Sequence, residues 1–371
     1  MKKNLYFSGL DGIRAIAAIA VLFSHTTVSL SSFGLKSHIF GINQNGDTVT
    51  TQLAGFGVSI FFTLSGFLIT YLLLEEKKLS EINIKYFYIR RILRIWPLYY
   101  LYFILSIITL LVFNLQFNIS WLPFYLLLLA NIPFVFGCSI DFFLCHYWSL
   151  GVEEQFYSIW PWIIKKSKSL LKSTLVIVFI FIFLKFLLHY LNHNINNNYT
   201  SFLYRLIHLT RFQCMLFGAI GSILYFEKNT FFIKFSNNII TQIISWSIIF
   251  ISTINRFNYL SLISHEIISI ITVFLIIGQI NQNNNILNLN TSFFNFIGKI
   301  SYGIYVLHPI VIFYLSKLII FNNKEYVLNY MIVYLSVFFI TILLSYISYD
   351  LFEKRFLLIK DMYSVKTIQC T

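Results

Sequence analysis

The sequence predicts an all-α, polytopic integral membrane protein of about ten transmembrane helices with a re-entrant or interfacial hairpin near 121–137. Three observations carry this. Of 371 residues, 58% are hydrophobic, 19% aromatic and 11% charged, and the mean hydropathy is +0.75, a balance that no soluble class shares. Apolar runs near the length of a bilayer span recur along the whole chain. The formal charge of +13 is gathered in short loops, which marks membrane topology rather than nucleic-acid binding.

The runs cover 10–32, 54–74, 96–113, 147–164, 173–191, 204–226, 238–254, 262–280, 297–320 and 328–352. Between the third and fourth, Trp121 to Gly137 is apolar but broken by Pro123, Asn131 and Pro133, and it reads as a hairpin that does not cross. With a cytoplasmic N-terminus, the inner loops then collect Lys77, Lys78, Lys85, Arg90, Arg91, Arg94, Lys165, Lys166, Lys168, Lys172, Lys228, Lys234, Lys299, Lys354 and Arg355. The outer loops keep Lys36, Arg256 and Lys324. A crossing hairpin would invert this bias, so both termini are expected in the cytoplasm. One transmembrane domain over 1–356 and a short cytoplasmic tail over 357–371 follow. No cleavable signal peptide is expected, because the first run spans, carries Arg14 and ends in no small-residue cleavage site.

Arg14 and His25 are eleven residues apart on the first run, which puts them on one helix face about 16 Å apart. Charged groups at such depth are costly and mark function more often than packing. In the 147–164 run Glu153 and Glu154 enter from the outer end, and in the 297–320 run His308 lies near the midplane, so Glu153, His25, His308 and Arg211 could line one polar cavity. A buried structural ion pair is the competing explanation of Glu153, and a kink-site histidine before Pro309 that of His308. Arg211 stands above Gly218, Ala219 and Gly221, a stretch that permits close helix approach. Lys185 and Lys317 lie toward outer ends and are expected to snorkel. Arg90, Arg91 and Arg94 precede a Pro-started span, where guanidinium groups either fix topology or bind phosphates bidentately.

Cys138 and Cys145 fall in one predicted outer loop, and either a disulfide or two free thiols fits them. No cysteine or histidine spacing suggests a metal. The Asn-rich stretches 192–198 and 281–290 read as loops.

LDGIRAIAAIAVLFSH, FFTLSGFLITYLL, YIRRILRIWPLYY, YWSLGVEEQFYSIWP, RFQCMLFGAIGS and GKISYGIYVLHP resemble, in order, the successive signatures of the membrane-bound acyltransferase 3 family, in its stand-alone form without an SGNH domain. The resemblance implies O-acetylation of a sugar hydroxyl, on a surface polysaccharide or its lipid-linked precursor, at the cell membrane, with acetyl-CoA as the cytoplasmic donor and no metal. It carries the R-x10-H pair onto Arg14 and His25, the Arg-rich motif onto Arg90, Arg91 and Arg94, an acidic signature onto Glu153, and the S-Y-x-x-Y-x-x-H signature onto Ser301, Tyr302 and His308. His25 is then expected as general base or transient acyl carrier. Glu153 would orient it, Arg14 would contact the donor, and Ser65, Tyr302 or His308 would serve the oxyanion. A transporter or flippase of a lipid-linked or anionic substrate, and a non-catalytic assembly factor, are the competing function classes.

Overall fold

The computed structural model describes residues 7–42, 46, 48–137, 141–195, 197–253, 262–281, 286–321 and 326–363, without the side chains of 141, 142 and 253. Among them the regular structure is helical, with one isolated bridge, Ile42 to Thr48. The helices are α1 (Leu10–Val28), α2 (Thr51–Leu79), α3 (Ile84–Val112), α4 (Leu122–Leu126), α5 (Asn131–Val135), α6 (Asp141–Cys145), α7 (Trp148–Lys166), α8 (Leu170–Ile195) and α9 (Asn198–Thr210). After Arg211 come α10 (Phe212–Phe226), α11 (Thr230–Ser236), α12 (Ile239–Thr253), α13 (Ser264–Asn281), α14 (Ser292–Lys299), α15 (Ser301–Leu318), α16 (Val327–Ser348) and α17 (Lys354–Met362).

Each predicted apolar run falls on helix. Among the described residues, seven helical segments are long and apolar enough to cross a membrane, and nine if the bent pairs α11–α12 and α14–α15 each count as one. The count of ten is therefore not reached by this measure. The difference is α7, whose Glu153, Glu154, Lys165 and Lys166 make it too charged to qualify. The 121–137 run forms α4 and α5, five residues each, too short to span.

Polar caps decide where helices begin, and one of them moves the Arg cluster. Asn83 accepts from the Tyr86 N–H at 3.0 Å and starts α3 well before Pro97. Arg90, Arg91 and Arg94 therefore lie on the helix, not in a loop before it. Asn197 and Thr200 cap α9 reciprocally. At the other end of the chain α16 passes through a π-helical turn, Tyr349–Glu353, directly into α17. Residues 357–362 of the expected tail thus lie on α17, which packs on α3.

The tightest packing joins α2 to α10. A side chain on Gly66 would meet the Met215 carbonyl, and one on Gly218 would meet the Thr63 carbonyl, so the small-residue stretch lets two backbones touch. The largest apolar core, with Trp160, Tyr99, Tyr102 and Tyr147 buried, lies among α2, α3, α7 and α10.

Candidate active site

Two polar groups lie at opposite ends of the helix bundle. The first is built by α1 and α15. His25 Nδ1 and His308 Nε2 are 2.7 Å apart, and His308 Nδ1 is 3.1 Å from the carbonyl of Ile304, one turn earlier on its own helix. A carbonyl can only accept, so His308 Nδ1 carries the hydrogen and its Nε2 presents a lone pair. The hydrogen between the rings then belongs to His25 Nδ1, and in the neutral imidazole His25 Nε2 is left as the basic nitrogen. The i−4 carbonyl is the fixed reference that selects this tautomer. His308 is wholly buried.

His146 completes this end. Its ring lies 5.4 Å from that of His308 and 5.5 Å from that of Tyr305, and the Tyr305 hydroxyl donates to its carbonyl at 3.0 Å. His146 was not singled out from the sequence, although it stands immediately before the signature YWSLGVEEQFYSIWP.

The second group is cationic and gathers Arg14, Arg91 and Arg94. Arg14 Nη1 pairs with Asp11 at 2.7 Å, and Arg94 and Tyr157 are its further electrostatic neighbours. Arg91 lies over the Phe87 ring at 5.8 Å and leaves its Nε buried without a partner among the described residues. Arg94 is exposed. Arg90 differs from both. Its guanidinium is 2.8 Å from Glu76 Oε2 and donates to the Tyr363 carbonyl at 2.9 Å, so it ties α3 to α2 and to the end of α17.

Glu153 makes its hydrogen bonds with groups other than His25. Its oxygens accept from Ser65 at 3.0 Å and Tyr157 at 2.9 Å, and its charged neighbours are Arg94 and Arg91. The physical reason is depth. Ser24, beside His25, donates to the Thr50 carbonyl at the start of α2, whereas Ser65 lies about four turns further along α2. Glu153 thus lies among the groups of the cationic end, while the His25 imidazole bonds His308.

Of the three expected oxyanion donors, His308 lies against His25, while Ser65 and Tyr302 donate to other groups. The Ser65 hydrogen goes to Glu153, and the Tyr302 hydroxyl donates to the Ile95 carbonyl at 2.7 Å. Ser301 donates to the Gly298 carbonyl at 2.7 Å, at the sharp bend between α14 and α15. Tyr302 thereby anchors α15 to α3, and Ser301 holds a corner of the chain. Arg211 lies off the Arg14–His25 axis, near the start of α2: it donates to the Gly55 carbonyl at 3.0 Å and covers the Trp148 ring at 5.3 Å.

Lys185 overturns the expectation that it snorkels. It is buried, 2.6 Å from Glu266 Oε1, because an acid on α13 faces it. Lys317 instead lies exposed, 5.1 Å from the Phe313 ring centre. Cys145 is a free thiol, while Cys138 lies outside the described residues. Among the described residues no cluster could hold a metal ion.

Residues 7–350 match the acyltransferase domain of the acyltransferase 3 type, and the chain belongs to this family. It is similar to the peptidoglycan O-acetyltransferase OatA of Listeria monocytogenes, 32% identical over 45% of this chain and 26% of that protein. It is also similar to the putative peptidoglycan O-acetyltransferase YrhL of Bacillus subtilis, 31% identical over 45% of this chain and 25% of that one. A putative O-acetyltransferase of Staphylococcus aureus is 28% identical over 96% of this chain and 58% of its own length. The chain thus covers less than two thirds of these relatives. No solved structure matches it.

Proposed function

We propose that this protein is a membrane O-acetyltransferase that moves an acetyl group from acetyl-CoA to a sugar hydroxyl, with peptidoglycan or a related surface glycan as acceptor. The observation that carries the reading is the His25–His308 pair, in which a backbone carbonyl selects the tautomer and leaves a basic nitrogen on His25. A sugar hydroxyl is a weak nucleophile near neutral pH and needs such a base. His25 Nε2 takes the hydroxyl proton as the oxygen attacks the thioester carbonyl, the C–S bond breaks, and coenzyme A leaves as the thiolate. The same lone pair would serve if His25 first accepted the acetyl group itself.

The donor is assigned to the cationic end. Arg94, exposed, and Arg91, with its unpartnered Nε, suit phosphate oxygens, and Arg14 lies between them and His25. The pantetheine arm would run along α1 from Arg14 toward His25, about three turns. On this reading the cationic end and both termini are cytoplasmic, residues 1–356 form the catalytic domain, and the acceptor, free or lipid-linked, approaches from the outer face of the cell membrane. Glu153 and Tyr157 sit beside the arginines and set their positions.

The direct test is transfer of radiolabelled acetyl from acetyl-CoA to soluble peptidoglycan fragments by the purified protein in detergent. Absence of both transfer and donor hydrolysis by well-folded protein would reject the reading. Within it, the arginines separate. Arg94→Gln should raise the KM for acetyl-CoA about tenfold or more, the loss of one charge-assisted phosphate contact. Arg90→Gln should instead lower the melting temperature with little effect on that KM, because its partners are Glu76 and Tyr363. Equal donor KM values for wild type and Arg94→Gln would return that arginine to topology alone.

A further inference from the structure

A second buried polar cluster lies where α8, α9, α10 and α13 meet the beginning of α2, and no step above uses it. Lys185 Nζ and Gln213 Nε2 both reach Glu266 Oε1, at 2.6 and 2.8 Å. His265 Nδ1 is 3.0 Å from the Ser59 hydroxyl, and Arg211 Nη1 is bonded to the Gly55 carbonyl. We propose that this cluster is a binding subsite for the hydroxyl groups of the saccharide acceptor, an assignment that rests on the O-acetyltransferase reading.

The first reason is unspent hydrogen-bonding capacity. Arg211 Nε, Gln213 Oε1, Glu266 Oε2 and His208 Nδ1 are all buried without a partner among the described residues, and the residues that carry the first three are only 7%, 1% and 4% exposed. Each such group bears a full desolvation penalty, and native structures rarely gather them without a use. The set mixes a donor with acceptors. Vicinal hydroxyls of a sugar, each able to donate and accept, satisfy such a set, whereas a simple anion would leave the Glu266 and Gln213 oxygens unmatched or opposed.

The second reason is that a structural ion pair does not require Arg211. Lys185 and Glu266 neutralise one another, so Arg211 adds a cation in excess, with no acid in hydrogen-bonding contact among the described residues. It is held there by a left-handed backbone, φ 51°, at the break between α9 and α10. That conformation is unfavourable for a side chain as large as arginine, and it separates α9 from α10 so that the guanidinium reaches Gly55 and Trp148.

The third reason is position. Gly55 and Ser59 lie about one and a half to two and a half turns along α2 from Thr50, whose carbonyl marks the level of His25 through Ser24. Trp148, under Arg211, is followed by Ser149, whose hydroxyl is 2.6 Å from that of Tyr305. The Tyr305 ring in turn lies 6.0 Å from His308. The cluster therefore adjoins the histidine end and not the cationic end, as an acceptor subsite must.

The test measures binding of a soluble peptidoglycan disaccharide by calorimetry to the whole protein in nanodiscs, in a His25→Ala background so that turnover is not needed. Lys185→Met with Glu266→Leu removes the pair but fills the space, a change that commonly leaves stability equal or higher. This protein should melt at or above the parent temperature yet bind the sugar at least tenfold more weakly. Arg211→Lys and Gln213→Ala should each weaken binding fivefold or more, and they decide the matter if the double variant does not fold. Binding within twofold of the parent in the folded variants would overturn the assignment, leaving a water-filled structural pair. So would a parent that does not bind the disaccharide at millimolar concentration. Acetyl transfer by the His25-containing protein is scored separately, so failure of the enzymatic reading is seen as lost transfer and failure of the subsite as unchanged affinity.

Discussion

His25→Ala is expected to lower acetyl transfer by about 10²–10⁴-fold, the range that a positioned general base contributes, while the protein still inserts in the membrane at a level close to wild type. The imidazole makes its hydrogen bond to His308, and removing it leaves one buried nitrogen without that partner, a cost of about 1–3 kcal/mol that a bundle of this size can bear. The second arm concerns the tautomer. In His308→Gln the amide oxygen can still accept from His25 Nδ1, so turnover should fall far less than in His308→Phe, where the acceptor is lost. Donor KM should stay near wild type in both, because the arginines lie at the other end of α1. Radiolabel transfer with protein level measured alongside checks all three variants. Near-normal transfer by His25→Ala would remove the histidine from the chemistry, and equal rates for the two His308 variants would remove the tautomer argument.

The helix periods of this chain were legible because apolar runs of bilayer length leave few alternatives. So was the Arg14–His25 axis, since residues eleven apart on one helix share a face whatever that helix packs against. What could not be read was the vertical offset between helices. Counting Glu153 from the outer end of its own run placed it beside His25. The offset is set instead by contacts such as Gly57 of α2 against the Ala17 carbonyl of α1, which no single-helix count contains. The start of α3 was misplaced for a different reason. Pro97 reads as a first-turn residue, yet it sits inside a helix that Asn83 has already capped. Lys185 was read by its depth alone. The signal that would have corrected it is Glu266, an acid inside the predicted span SHEIISIITVFLIIG, since an intramembrane lysine and an intramembrane glutamate are most cheaply buried together. His146 lacked even that signal, because a histidine beside tyrosine and tryptophan is ordinary at a helix end.

Gly66→Ala is expected to cost about 1–3 kcal/mol or more, the range for forcing a methyl group into a well-packed contact. Its new Cβ would run into the backbone carbonyl of Met215, and a helix backbone cannot rotate aside as a side chain can. α2 and α10 must then separate, and with them Gly55 and Ser59 on one helix and Gln213 on the other. Activity should fall through lost abundance and a lowered melting temperature, with the surviving fraction showing a weakened acceptor KM and a donor KM close to wild type. Gly55→Ala gives the contrast. Its Cβ would meet His265 Cε1 at 3.2 Å and Arg211 Nη1 at 3.6 Å, the ends of side chains that can shift, so stability should change by less than about 1 kcal/mol while the Arg211 guanidinium is displaced. Melting temperatures and membrane abundance of the two variants, read beside KM for each substrate, separate packing from recognition. If Gly66→Ala melts with the wild type, α2 and α10 do not make the backbone contact on which the placement of Arg211 and Gln213 depends.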